Sequence, residues 1–396
     1  MPTCEDRTHC LTSVLLMAIA GMLVCAQGNK AWAGDASPDR AWVFVGTYTG
    51  GASKGVYVLD LELATGKLTE RSATGSDNPS FLAIHPNGKT IYTANEISNY
   101  GGEQAGAISA FSFESKSGRL SLLNQQSSVG AGPCHLVVDK SGRFVLAANY
   151  GGGSVCSLPI DAEGKLKPAS AFVQHSGSSI NPNRQKEPHA HSINLDPSNQ
   201  FAVAADLGID RVLIYRFDNA TGSLTPSAVS SASVAPGSGP RHFAFHPSGK
   251  SGYVINELLL NVTMFDFDTN TGTLSDRQVI STLPPNTENL GSTAEVQVHP
   301  SGRFLYGSNR GHDSIVVFSI DQENGRLTYV ENEPTGGRTP RNFGIDPTGQ
   351  FLLAANQASD NIVVFRIDRE TGELSPAGHE ISVPSPVCVK MMPVGK

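Results

Sequence analysis

Cysteine, basic charge and long apolar runs are all scarce in this chain, and each scarcity removes a class of protein. Of six cysteines in 396 residues, Cys4, Cys10 and Cys25 lie near the N-terminus, leaving Cys134, Cys156 and Cys388, too widely spaced to form a disulfide framework. No Cys-x-x-Cys or His-Glu-x-x-His spacing occurs, so nothing specifies zinc, and we expect neither a metal nor a cofactor. Lys and Arg number 29 against 36 Asp and Glu, a net charge of -7, which leaves no general basic field to hold nucleic acid or an anionic membrane. Any anionic ligand must meet a local cluster. From Ala41 onward no 3.6-residue apolar period is sustained, which argues against helices.

The apolar run from Leu11 to Val24 covers 14 residues, too short to span a bilayer and suited to a secretory h-region. Ala31-Trp32-Ala33 follows as a small-x-small cleavage site, although Arg7 is the only firm positive charge of the n-region and stands beside Glu5 and Asp6. We therefore expect residues 1–33 to be a signal peptide and residues 34–396 a mature domain, periplasmic or secreted, monomeric and without a transmembrane span.

What the chain does have is a repeat. Six modules align on His85, Asp139, Asp196, His246, His299 and Asp346, each opening a turn such as His246-Pro247-Ser248-Gly249, with successive anchors 54, 57, 50, 53 and 47 residues apart. Ten residues after each anchor stands Asn95, Asn149, Asp206, Asn256, Asn309 or Asn356, so the register never slips. A repeat of this length argues for one closed architecture of stacked units rather than several domains.

Within each module, short runs rich in Val, Ile, Phe and Tyr between Gly, Pro, Asn and Ser read as four strands, and the protein is all-β. Seven hairpins, with turn glycines Gly66, Gly118, Gly164, Gly222, Gly272, Gly325 and Gly372, accompany only six inner-strand modules. The missing pieces lie at the ends, where Trp42 to Tyr48 resembles a second strand and Pro386 to Lys390 a first one. The expected fold is a seven-bladed β-propeller whose N- and C-terminal strands share one blade and close the ring. Strand alternation puts the Pro-x-Gly and Thr-Gly turns on one face, and the starts of first strands with the ends of second strands on the other.

Residues common to all blades serve the scaffold, whereas residues peculiar to one blade at the ligand face need another reason. The Asn/Asp row reads as loop caps, and His246 and His299, which alternate with Asp, read as turn residues. The next position is varied: Glu96, Tyr150, Leu207, Glu257, Arg310 and Gln357. Five residues before the anchors come Ser80, Cys134, His191, Arg241, Ala294 and Arg341, and both rows should ring the channel mouth. Four before the anchors come Phe81, His135, Ser192, His242, Glu295 and Asn342, expected to face the other side of the strand. A rim of His, Arg and Glu results. Its bland readings are a solvated charge at Glu96, a core histidine at His242 and a structural ion pair between Arg241 and Glu257, although no other blade repeats that pair.

Pro188-His189-Ala190-His191-Ser192, Gly239-Pro240-Arg241-His242, Asn256-Glu257, Asn309-Arg310 and Thr339-Pro340-Arg341, with the lead-in Asn181-Pro182-Asn183-Arg184-Gln185, resemble the motifs of the lactonase propellers. That family includes bacterial 6-phosphogluconolactonases and fungal carboxymuconate cyclases. The resemblance runs from about Trp42 to Pro393 and implies seven blades and metal-independent lactone chemistry, with active-site residues His191, Arg241, Glu257 and Arg310. A leader is unexpected for a pentose-phosphate enzyme and leaves the exact lactone open.

Lactone hydrolysis needs a base for water, which we assign to Glu257 or His191, and a carbonyl donor, which we assign to Arg241. A phosphate or carboxylate tail suits the guanidiniums of Arg310 and Arg341, with Arg184 a further candidate, while His135, His189, His242 and Glu295 complete the expected substrate-binding set. Two other readings stand beside hydrolysis of 6-phosphogluconolactone or a related gluconolactone. One is a lactonising cyclase acting on a dicarboxylate; the other is a secreted propeller that only binds partners, since propellers host many functions. For the leader, mass spectrometry of protein from its native host should find the mature N-terminus near Gly34. An intact Met1 on soluble cytoplasmic protein would overturn that localisation.

Overall fold

The computed structural model describes residues 39–288 and 291–394; the expected signal peptide and its cleavage site lie outside the described residues. The short β-branched and aromatic runs form 28 strands in seven four-stranded antiparallel sheets, which are the blades. Blade 1 joins Arg40–Thr47, Gly55–Glu62 and Leu68–Gly75 to Pro386–Pro393. Blades 2 to 7 occupy residues 79–127, 133–174, 190–233, 240–281, 292–334 and 340–382. The first strand of each is the inner one. Inner strands touch in cyclic order, and Pro386–Pro393 touches both Pro340–Ile345 and Pro79–Ile84, so the ring closes.

The core lies between neighbouring blades rather than at one centre. Phe44 and Trp42 of blade 1, for example, meet Phe113 of blade 2 edge-on at 4.9 and 5.3 Å. A phenylalanine buried as fully as Phe44, Phe201 or Phe318 contributes about 1.5–3 kcal/mol.

The turn face is stitched by repeated hydrogen bonds. The Tyr92, Tyr253 and Tyr306 hydroxyls donate to the carbonyls of Gly164, Gly325 and Gly372 in the next blade's hairpin turn at 2.9, 2.8 and 2.8 Å. His85, His246 and His299 place Nε2 at 2.9 Å from the carbonyls of Gly142, Gly302 and Gly349 in the next anchor turn. These anchors are turn residues, as the repeat implied. Asn199 stands where the other anchor turns carry glycine because the position needs positive φ, here 62°, which asparagine tolerates better than most residues.

On the opposite face, Asp210, Asp313 and Asp360 each accept the backbone N–H of the segment leading into the next inner strand, from Gly239, Thr339 and Ser385, at 2.7, 2.8 and 2.7 Å. The Asn row caps loops, with Asn149, Asn309 and Asn356 donating Nδ2 to the carbonyls of Ser128, Thr282 and Thr335.

Closure rests on Arg40–Thr47, which pairs with Gly55–Glu62 on one side and with Pro386–Pro393 on the other, from Ala41↔Pro393 to Thr47↔Pro386. Deleting residues 386–396 strips that ladder and opens the ring. The truncated chain should melt more than roughly 4 °C below the full chain, since 1 kcal/mol alone moves a large domain by about 2–4 °C. A melting temperature within about 1 °C of the full chain would contradict closure as a source of stability.

Candidate active site

Every inner strand begins with a register slip that inserts one extra residue: between Pro79 and Phe81, Pro133 and His135, Ala190 and Ser192, Pro240 and His242, Thr293 and Val296, Pro340 and Asn342, and in blade 1 between Gly46 and Thr47 opposite Pro386–Cys388. A bulge re-aims side chains beside it. The residues four before the anchors therefore do not face away from the rim row, as simple alternation predicted. Both rows enter the central channel, one layer above the other.

The upper layer centres on Glu257. Its Oε2 accepts from Arg241 Nε at 2.9 Å and lies 3.0 Å from Arg310 Nη2, while its Oε1 accepts from Arg184 Nη2 at 2.7 Å. Arg241 is only 2% exposed, and its Nη1 is spent on the Ala294 carbonyl at 2.7 Å and on His242 Nε2 at 3.2 Å. Among the described residues its Nη2 has no partner. Arg310 Nη2 also donates to the Thr293 carbonyl at 2.6 Å. Arg341 joins a second chain, donating from Nη2 to the Tyr48 hydroxyl at 2.9 Å, which donates in turn to Glu96 Oε2 at 2.9 Å. Four guanidiniums thus face two carboxylates, Glu257 and Glu96, leaving two positive charges unmatched.

Burial opposes the charge on Glu257, but Arg310, Arg241 and Arg184 outweigh it and hold the carboxyl at about 2. Burial, with Arg241 and Arg341 beside it, brings Arg310 down to about 10, which still leaves it charged at neutrality. His191 is pushed well below the ordinary histidine value by burial and then by Arg241, His242 and Arg341, so its imidazole is neutral. Burial raises the Cys134 thiol, which therefore supplies no thiolate nucleophile near neutral pH.

The histidine arm enters from the long loop before blade 4. His189 stacks on Tyr150 with centroids 4.5 Å apart and meets the Tyr150 carbonyl through Nδ1 at 3.0 Å; His191 packs against Tyr150 and His242 at 5.2 and 5.3 Å. The single Asp of the Asn row holds this arm. Asp206 Oδ1 accepts from the backbone N–H of His189 at 2.7 Å and of Gly208 at 3.0 Å, and Oδ2 lies 2.6 Å from His175 Nδ1, whose Nε2 meets the Tyr215 hydroxyl at 2.9 Å. Both carboxylate oxygens are thus engaged, one by the backbone of the arm and the other by His175.

His135, His242 and Glu295 form the layer beneath, with Phe81 and Asn342. The His135 and His242 rings are 5.2 Å apart, Phe81 lies 4.2 Å from His135, and His242 Nδ1 lies 3.2 Å from Glu295 Oε2, which Asn342 also meets. At 3–5% exposure these three site candidates support the rim from below. Burial and then neighbouring positive charge keep both imidazoles neutral, and burial raises the Glu295 carboxyl.

The structure thus gathers Arg184, Arg241, Glu257 and Arg310 in one cluster and sets His191 beside it, with Arg341 and His189 on the same rim. Arg184 is as much a part of the cluster as the strand-borne arginines. Tyr48 was missed, although Thr47-Tyr48 aligns with Asn95-Glu96 once the split blade is assembled; Glu96 is bonded to it rather than merely solvated. Among the described residues, no three or more His, Cys, Asp or Glu side chains are grouped to hold a metal ion.

Residues 42–391 match the family described as Lactonase, 7-bladed beta-propeller. The 6-phosphogluconolactonase of Bacillus subtilis is 39% identical over 350 residues, 88% of this chain and 97% of that protein. The 6-phosphogluconolactonase of Formosa agariphila is 39% identical over 310 residues, 77% of this chain and 86% of its own. The solved periplasmic gluconolactonase of Pseudomonas aeruginosa superposes with a TM-score of 0.84 at 32% identity, covering 90% of this chain and all of that one. With the family match and these relatives covering most of its length, the chain belongs to the lactonase family of seven-bladed β-propellers.

Proposed function

We propose that this protein hydrolyses the ester bond of an anionic sugar lactone, 6-phosphogluconolactone or a related aldonolactone, by general-base attack of water and without a metal. The observation that carries this reading is the gathering of four guanidiniums on the rim against two carboxylates, three of them on Glu257 and the fourth linked through Tyr48 to Glu96, which leaves two positive charges in excess. The relatives act on lactones of both kinds by name; the unmatched charge favours the phosphorylated one. The apolar run from Leu11 to Val24 with its small-x-small site, and the periplasmic Pseudomonas relative, together support an enzyme of the periplasm.

Glu257 takes a proton from water as the water oxygen adds to the lactone carbonyl carbon. The carbonyl oxygen becomes an oxyanion and meets the unengaged Nη2 of Arg241, held in place by Glu257, Ala294 and His242. Collapse breaks the ring C–O bond, and the proton returns to the ring oxygen to leave the open acid. Neutral His191 lines the same space and orients the sugar through hydrogen bonds, with Arg310 and Arg341 facing the distal anion.

Freshly made gluconolactone, 6-phosphogluconolactone and carboxymuconate, followed by proton release or absorbance, test the activity. Turnover of carboxymuconate alone would make the protein a lactonising enzyme, and silence on all three would make it a binding platform. Glu257→Gln keeps the side-chain shape and removes the base, so kcat should fall by about 10² or more with the melting curve little changed. Retention of more than about half the activity would move the base to His191.

The pH profile follows from the same groups. A carboxyl held at about 2 stays ionised as pH falls until that value is approached, and His191, pushed well below its ordinary value by burial and by Arg241, stays neutral through the ordinary histidine range. On gluconolactone, which carries no group that titrates in this interval, kcat/KM should therefore be flat from about pH 8 to about pH 5, whereas the phosphate of 6-phosphogluconolactone itself ionises at about pH 6. An acid limb centred near the unperturbed histidine value of about 6.5 would show that a titrating imidazole governs the rate.

A further inference from the structure

Glu257 presents two oxygens that are held very differently. Oε2 is bound by Arg241 and Arg310, two strand-borne arginines, 2% and 14% exposed in their side chains. Oε1 has one partner among the described residues, Arg184, whose side chain is 38% exposed and stands on a loop. The base's one oxygen outside the buried pair is therefore covered by Arg184.

The loop itself is fixed. Fully buried Gln185 donates Nε2 to the Leu207 carbonyl at 2.9 Å and accepts from the Asn181 N–H at 3.0 Å, and Ser179 Oγ donates to Asp210 at 2.5 Å. Asp210 also accepts from Gly237 and Gly239, which lead into Arg241. What can move is the Arg184 side chain. Its contacts with Glu257 and with the Tyr150 hydroxyl, 3.2 Å away, both pass through Nη2, which leaves Nε and Nη1 without partners among the described residues. Each edge on which a guanidinium offers two parallel N–H groups, Nε with Nη2 or Nη1 with Nη2, includes Nη2, so a phosphate or carboxylate that grips Arg184 in bidentate fashion competes directly for the donor now given to Glu257.

We infer that Arg184 is a displaceable clasp on the catalytic carboxylate: the distal anion of the substrate draws it off Glu257 Oε1, and the freed oxygen takes the proton from water. This rests on the lactonase reading and makes Arg184 a specificity-determining residue. An anionic lactone uncovers its own base, whereas a neutral lactone meets a base still covered. Removing one of three guanidiniums also lets the Glu257 carboxyl rise from its depressed value, so it becomes a stronger acceptor as the clasp leaves.

Arg184→Gln and Tyr150→Phe test this, with kcat and KM measured on 6-phosphogluconolactone and gluconolactone and melting curves as the folding control. An ion pair with one partner this exposed holds by a factor of roughly five or less, so Arg184→Gln should raise kcat/KM on gluconolactone about two- to fivefold. On 6-phosphogluconolactone the same variant loses a charge-assisted contact and should fall roughly tenfold or more. Its acid limb on gluconolactone should move up in pH, because a carboxyl with two guanidinium partners protonates before one with three. Tyr150→Phe loosens the clasp but keeps the guanidinium, so it should raise the neutral activity while largely sparing the phosphorylated substrate. Equal losses on both lactones in Arg184→Gln, or a fall on gluconolactone, would overturn the clasp. Wild-type protein inactive on both lactones would instead overturn the lactonase reading and the clasp with it.

Discussion

One extra residue at the head of each inner strand decides what the central channel can hold. Without it, alternation would send Arg241 and His242 to opposite sides of the strand, and one row would be buried between blades. An arginine there would lose water and gain no carboxylate, at a cost of several kcal/mol. The bulge turns both rows inward, so the guanidiniums meet Glu257 from the neighbouring strand end while His242, His135 and Glu295 fill the space below. A left-handed residue precedes most of these bulges. At Thr339, where φ is 59°, a β-branched residue accepts that strain directly before Pro340 and Arg341, and Asp313 holds its N–H.

The charges gathered by this geometry are tolerable only together. Glu257 is the counter-ion for three arginines and is itself nearly buried, so removing either sign would leave the other unpaired in a poorly solvated place. Arg341 avoids competing for the same carboxylate by passing its hydrogen bond through Tyr48 to Glu96. The remaining positive excess has no protein partner on the rim. Stored in this way, it favours a ligand that arrives with negative charge, and it adds to burial in depressing His191 and His242, which keeps imidazolium out of the site.

The blades, their number and the closing strand were legible because each rests on local signals repeated many times: the anchor turn, the ten-residue interval to Asn, and the Thr-Gly hairpin. Arg241, Glu257, Arg310 and His191 were legible for the opposite reason, as residues that break the repeat at the ligand face. The facing of His135, His242 and Glu295 was not, because a bulge leaves no mark in an apolar-polar alternation where both rows are polar. Tyr48 was hidden by the split of its blade between the termini. Arg184 could be placed on the loop but not on Glu257, since a loop's path across three blades follows from tertiary anchors such as Gln185 and Ser179. The lone Asp206 of its row was visible as a deviation, yet its partner His175 lies 31 residues away in sequence on the neighbouring blade and follows no period.

Ring closure and active-site geometry are one constraint seen at two scales. The groups that meet at the channel mouth come from different blades: Tyr48 from blade 1, Glu96 from blade 2, Tyr150 from blade 3, His191 from blade 4, Arg241 and Glu257 from blade 5, Arg310 from blade 6 and Arg341 from blade 7. Their separations are set by the width of the ring, which is set in turn by how many blades the latches at Asp210, Asp313 and Asp360 draw together. The bond from Arg341 to Tyr48 spans 293 residues of sequence and crosses the very seam that Pro386–Pro393 closes. A blade that slips at that seam therefore disturbs the anion-facing side of the rim first, while the Arg241–Glu257 pair, made within blade 5, keeps its geometry.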